Sequence, residues 1–330
     1  MRHQFRVVTA ALVAVSVVAL ALVLASAQAP KGTAATTKWT QTRTPWGDPD
    51  LQGVWTGTTP TPLERPLDGG KVLLTDEEVE SLEKELARRF EAPRPGDPGA
   101  YNAFWQDRGK GLKGRTSLIV DPPDGRLPAL TPEGKKRADA ARAGRRGLFA
   151  GPEDLPLRTR CLHWERLITG GVNQYYRIVQ APGSVAINMM RLHDNRIIHM
   201  DGRPHLPQDV RQWNGDSRGR WEGTTLVVDT TNFADTGEDT WGSRNLHLVE
   251  RFTRVDADTI RYEATLEDPT TWTRPWTLAL PLTKDPEGSV GVFEYACHEG
   301  NYAMVGILGG ARAEEKAVTE TSKGKSGPSK

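Results

Sequence analysis

The 330-residue chain carries a formal net charge of +1. No strong field of one sign therefore directs it to nucleic acid or to an acidic partner. Beyond its first thirty residues, about 300 remain, enough for one large domain or two small ones.

The chain opens on a targeting segment. Arg2, His3 and Arg6 give a basic start, and Val7 to Leu24 is an uncharged apolar run. Ala25-Ser26-Ala27 supplies the small-x-small pattern that a signal peptidase reads. Residues 1–27 are expected to be a signal peptide, cleaved after Ala27, and the rest to be exported, periplasmic or secreted. Left uncleaved, the run is long enough to anchor the chain. It would then be the protein's one membrane contact.

Residues 28–47 read as a flexible lead-in. Asp48 to Thr58 reads as a first strand after a Pro turn. Residues 59–170 form an irregular insertion. Within it Thr75 to Phe90 is a helix, with Thr75 and Glu78 as a capping box and Val79, Leu82, Leu86 and Phe90 on one face. Thr116 to Val120 is a short buried strand. Thr131-Pro132 starts a second helix, with Pro at the first helical position. That helix is basic, through Lys135, Lys136, Arg137, Arg142, Arg145 and Arg146.

From residue 175 the texture is β. Tyr175–Gln180, Ser184–Arg191, Arg196–Met200 and Thr224–Asp229 are expected strands. Leu246–Val255 and Thr259–Leu266 form a hairpin across Asp256-Ala257-Asp258. In its second arm Ile260, Tyr262, Ala264 and Leu266 alternate with Arg261, Glu263 and Thr265. One face is buried and the other wet. Pro275–Leu282 and Val290–Ala296 complete the set. Meandering antiparallel strands at short spacing imply a mainly β fold, a closed barrel or a β-sandwich, spanning residues 48–313. Residues 314–330 are Lys, Ser, Thr and Gly rich and are expected to be disordered. The ten Trp are expected mostly in the core.

Cys161 and Cys297 are the two cysteines. In an oxidising compartment they pair most simply as one disulfide. Metal ligation with His163 and His298 is the rival, but the ligand spacings do not match the usual ones.

The densest polar chemistry lies between residues 196 and 222. If Asp201-Gly202-Arg203 is a three-residue turn, His199 and His205 face each other. If Asp201-Gly202 is a two-residue turn, they point to opposite faces. In the first geometry they could hold a divalent metal, with Asp201 or His298 as a third ligand. They could equally serve as acid and base. Arg203 is an orienting candidate. Asp216, Arg218, Arg220 and Glu222 read as a turn laced by ion pairs, with Arg218 or Arg220 able to grip a ligand. At the chain's other end Glu294 and His298 share a strand face and can form a carboxylate–imidazole pair.

Two resemblances bear on these residues. Pro49 to Trp55, Ser117 to Gly134, Arg196 to His205, Gly215 to Asp229 and Phe293 to Tyr302 resemble a widespread set of exported bacterial proteins of unassigned function. That resemblance supports boundaries and compartment and supplies no catalytic residues. Gly53-Val54-Trp55 is similar to the Gly-x-Trp first strand of calycin-like barrels, the lipocalin and fatty-acid-binding group. It implies an antiparallel barrel around an apolar cavity.

No Gly-x-Gly-x-x-Gly after a strand, Walker loop, Gly-x-Ser-x-Gly elbow or His-Glu-x-x-His is present. Nucleotide enzymes, α/β hydrolases and zincins are thus disfavoured. The expected function is acid–base catalysis, of lyase or hydrolase type, on a small polar molecule such as a sugar derivative. His199, His205 and His298 are its expected catalytic residues. A non-catalytic ligand-binding barrel and a cell-envelope interaction protein using the basic helix are the alternatives.

Overall fold

In the computed structural model, ten strands form one sheet that closes on itself. Residues 39–67, 71–91, 114–146, 149–164, 166–171, 173–235, 241–285, 292 and 294–325 are described. The chain divides into Met1–Thr40 and Gln41–Lys330, and the barrel belongs to the second unit. The expected signal segment lies outside the described residues.

Strand β1 (Gly53–Thr56) pairs with β3 (Tyr175–Ala181) on one side and β10 (Trp276–Lys284) on the other. Between them run β4 (Ser184–Met189), β5 (Asn195–His199), β6 (Asp216–Glu222), β7 (Thr225–Thr231), β8 (His247–Arg254) and β9 (Thr259–Glu267). Strand β2 (Ile119–Asp121) adds to the remaining edge of β10. The closed ring thus has nine strands.

A ring of nine cannot alternate direction all the way round, so one neighbouring pair must run parallel. That pair is β5 and β6, joined at Ile198–Ser217 and His199–Arg218. The fully antiparallel expectation is corrected at this one place. It also removes the turn question at Asp201-Gly202. Residues 200–215 do not make a hairpin; they form a crossover that returns along the barrel and re-enters at Asp216. Asp216–Glu222, expected as a turn, is strand β6.

Alternation fills the interior, with Val227 on β7 buried on the outer face as well. Leu226 and Val228, Leu248 and Phe252, Ile260, Tyr262, Ala264 and Leu266, and Trp276, Leu278, Leu280 and Leu282 are 0–2% exposed. That leaves no water-sized gap against them. Trp55 is fully buried, donates from Nε1 to the Leu51 carbonyl at 2.9 Å, and lies under the Arg254 guanidinium at 5.4 Å. Only Trp55, Trp272 and Trp276 among the described Trp are buried; Trp46 and Trp213 are 38% and 42% exposed. Trp221 and Trp241 pack partly buried against the same core, so five of the nine described Trp belong to it, while most inward positions are held by Leu, Ile, Val and Phe.

The interior also holds a salt bridge. Arg196, inward on β5, contacts both oxygens of Glu250 on β8, with Nη1 to Oε1 at 3.0 Å. Tyr262 donates its hydroxyl to Glu250 Oε1 at 2.8 Å, and Arg196 Nη2 reaches Ser217 Oγ and Thr230 Oγ1. Burial works against the Arg196 charge, and Glu250 outweighs it, so the guanidinium is held above its ordinary value. Burial likewise pushes the Tyr262 phenol well up.

Within the insertion, α1 (Asp76–Glu91) begins at the expected capping box: Thr75 N donates to Glu78 Oε2 at 2.8 Å, and Glu78 N to Thr75 Oγ1 at 3.3 Å. Its apolar face is only partly used, since Leu82 is 46% exposed. Helix α2 (Pro132–Arg146) is capped by Thr131, whose Oγ1 accepts the Gly134 N–H at 3.0 Å. Lys135, Arg137 and Arg142 are answered within the helix, by Asp139, Glu133 and Asp139, and Arg137 also reaches Thr271 in the loop after β9.

Two expectations near the C-terminus are corrected. Residues 292 and 294–296 carry no regular structure. The edge of β10 beside which the segment would follow in sequence is already occupied by β1 and β2. Residues 314–325, expected to be disordered, belong to helix α3 (Tyr302–Lys325). Their Ala, Glu and Lys content favours helix, and Arg312–Glu315 and Lys316–Glu320 pair along it. No described helix is long and apolar enough to cross a membrane.

Candidate functional site

Outward positions of β5 to β9 carry a polar band. Register places His199, Arg218, Asp229 and Val249 in one row across β5, β6, β7 and β8. The neighbouring row holds Asp216 on β6, Thr231 on β7, and the facing pair His247 on β8 and Glu267 on β9. The crossover lays His205 across both rows.

Asp229 is the centre. Its Oδ1 lies 3.0 Å from His205 Nε2, and its Oδ2 lies 3.0 Å from His247 Nε2. His205 Nδ1 is 2.9 Å from Asp216 Oδ2. Both His205 contacts are hydrogen bonds only when both ring nitrogens carry hydrogen. Asp216 also accepts the Leu206 N–H at 2.9 Å and meets Arg218 Nη1 at 2.8 Å. Arg218 Nε donates to the Pro204 carbonyl at 3.0 Å. Asn232 Nδ2 donates to the carbonyls of Leu206 and Pro207. His205 thus works chiefly as the pin of the crossover.

His247 is placed differently. Its side chain is 38% exposed, and Nδ1 stands 3.6 Å from Glu267 Oε2. The hydrogen bond to Asp229 raises its pKa above the ordinary imidazole value, against some loss from burial. The same bond, with a smaller part from His205, lowers Asp229 below the usual carboxylate range.

The remaining expected residues fall around this centre or away from it. His199 ends β5, two strands from Asp229, about 10 Å at the usual strand spacing. Asp201 pairs with Arg203, Nε to Oδ2 at 2.7 Å, and this bond lowers its carboxyl. Arg220 pairs with Glu222, which also meets Arg251 at 2.8 Å, so these groups brace β6 to β8. His298 and Glu294 are exposed in the segment tied down by the Cys161–Cys297 disulfide. No contact joins them to each other or to His199 or His205 among the described residues. Residues 294–296 form no strand and 297–298 lie in a turn, so the shared face is not formed; residues 290, 291 and 293 of the expected strand lie outside the described residues. Nor, among the described residues, do three or more His, Cys, Asp or Glu gather as a metal site. The expected metal set of His199, His205 and Asp201 or His298 is not assembled.

Sequence reasoning missed His247, Glu267 and the central role of Asp229. The signal was present in part: His247 alternates with Leu248 and so had to face outward. Its meeting with Asp229 depends on the pairing of β7 with β8. Comparison with protein-family models, with curated proteins and with solved structures finds no match to this chain.

Proposed function

We propose that this is an exported protein that acts on a small polar molecule, such as a sugar derivative, by imidazole–carboxylate acid–base catalysis. The observation that carries this reading is Asp229, which grips one imidazole with each oxygen and leaves His247 open to solvent. Asp229 fixes the His247 Nε2–H, so the proton in play is on Nδ1. The hydrogen bond to Asp229 raises the His247 pKa and so favours the doubly protonated ring, whose Nδ1–H can be donated to a leaving group. After donation Nδ1 is the base that recovers a proton. His205, held between Asp216 and Asp229, is a positioning residue. The packed interior favours outer-face chemistry over a carrier's central cavity. The Cys161–Cys297 bond suits an oxidising compartment and supports export.

The test is turnover of a panel of nitrophenyl glycosides and uronate-containing oligosaccharides by the full chain. His247→Gln should lower kcat by about 10²–10⁴-fold with the fold intact. Unchanged turnover in His247→Gln, or no turnover of any panel member by the natural chain, rejects the reading.

A further inference from the structure

We propose that the crossover is a pH-operated strap. Doubly protonated His205 fastens it over β6 and β7, and loss of one ring proton loosens residues 201–206. This device does not rest on the catalytic reading, because its readout is the crossover itself.

Side chains, not backbone pairing, hold this stretch. Among the described residues, Asp201 to Leu206 make no backbone–backbone hydrogen bond, and residues 201–204 are exposed. Asp201 and Arg203 pair with each other. Asn232 Nδ2 donates to the Leu206 carbonyl at 2.9 Å, and Arg218 Nε to that of Pro204 at 3.0 Å. The Leu206 N–H and His205 Nδ1 both meet Asp216 Oδ2, at 2.9 Å each, while His205 Nε2 meets Asp229 Oδ1 at 3.0 Å.

The two His205 contacts differ from the rest because they depend on charge. A carboxylate oxygen only accepts, so a hydrogen must sit on each ring nitrogen. The imidazolium has both. The neutral ring has one, and its bare nitrogen then faces a carboxylate oxygen at 2.9 or 3.0 Å. An attraction is exchanged for a repulsion. The surrounding charges fix the sign. Asp216 and Arg218 face the ring from β6 and answer each other at 2.8 Å. Asp229 faces it from β7 and is shared with His247 on β8, which Glu267 on β9 approaches. Asp229 is held below the usual carboxylate range, so it stays charged while an imidazole titrates. The strap is therefore fastened on the acid side of that titration and loose on the alkaline side. Loosening uncovers the Asp216–Arg218 pair, whose side chains are 5% and 11% exposed, and frees Asp229 Oδ1.

Hydrogen exchange of the full chain across the His205 titration tests this, with the ring followed by imidazole nitrogen NMR and the rates corrected for their intrinsic pH dependence. Protection of the Leu206 amide should fall by about tenfold or more as the ring loses its proton, the scale of a hydrogen bond to a charged group. The amides of β7 to β9 should change less. His205→Gln, which donates on one side and accepts on the other, should be loose throughout. Asp229→Asn should keep Leu206 protected on the alkaline side, because its amide N–H donates to the bare Nε2. It carries the test if His205→Gln does not fold. His247→Gln should retain the step. A ring that keeps both protons wherever the chain is folded overturns the proposal. So does equal Leu206 protection on both sides of the titration, or a fall shared equally by β7 to β9. A step that persists in His205→Gln, or alkaline loss of protection in Asp229→Asn, overturns it as well.

Discussion

The charged pair inside the barrel makes the sharpest energetic test. In Glu250→Gln the side chain keeps its shape but loses its charge, and its new amide hydrogens face the Arg196 donors. Arg196 is 2% exposed and Glu250 fully buried, so no water can take over. Arg stays charged under all folding conditions. Removing one partner of such a pair costs about 3–5 kcal/mol. For a domain of this size that corresponds to a fall in thermal midpoint of about 6–20 °C. Equilibrium unfolding in urea, followed by Trp fluorescence and by circular dichroism, measures the loss. The double replacement Arg196→Met with Glu250→Leu should recover most of it, because it leaves no uncompensated charge. A single-variant loss under about 1 kcal/mol would refute this account. So would a double variant no more stable than Glu250→Gln.

Stability should also depend on pH through Asp229 and His247. The raised His247 contributes fully below its unfolded pKa, and that part is lost as pH rises through its folded value. The lowered Asp229 contributes above its unfolded pKa and loses its part as pH falls through its folded value. Asp229→Asn should flatten the profile at both ends, by about 0.5–1 kcal/mol given the partial exposure; an unchanged profile by urea titration counts against the pairing. Cys161 and Cys297 are 136 residues apart in sequence, so Cys297→Ser should cost up to about 5 kcal/mol on the chain-entropy estimate. A loss near zero in denaturant unfolding would contradict it. Gly215 has φ +68°, and a Cβ there would stand 2.6 Å from the Thr231 carbonyl oxygen. Gly215→Ala should therefore lower the thermal midpoint by several degrees, more than about 1 kcal/mol; a neutral result removes the strain argument.

How far the sequence carries can be judged from particular residues. The β8–β9 hairpin was legible because Ile260, Tyr262, Ala264 and Leu266 alternate over a whole strand. The Thr75–Glu78 box was legible because its partners lie three residues apart. The disulfide followed from compartment and count. The parallel seam was not legible, since it follows from how many strands close the ring, and Asp216–Glu222 lacks apolar alternation. Polar Asp216 and Ser217 are buried there, answered by His205 and Thr230 from elsewhere. The same limit hid the site: Asp229, His205 and His247 meet only through strand order. His298 was misplaced because a local alternation near it had no partner strand to join.

The nine-strand ring has a mechanical consequence. Strands β1, β3, β4 and β5 make one continuous antiparallel meander, and β6 to β10 make another. They touch along two seams. One is held at Ile198–Ser217 and His199–Arg218, the other at Trp55–Lys284 and Thr56–Thr283. Ladders inside each meander are far longer, as from Asp216–Thr231 to Glu222–Thr225. The molecule is thus two curved sheets zipped at short margins, midway between a sandwich and a barrel. Its cheapest excursions should part the sheets along those margins and leave each meander intact. The amides of His199 and Thr56, which point across the seams, should then exchange with solvent well before those of β7 to β9.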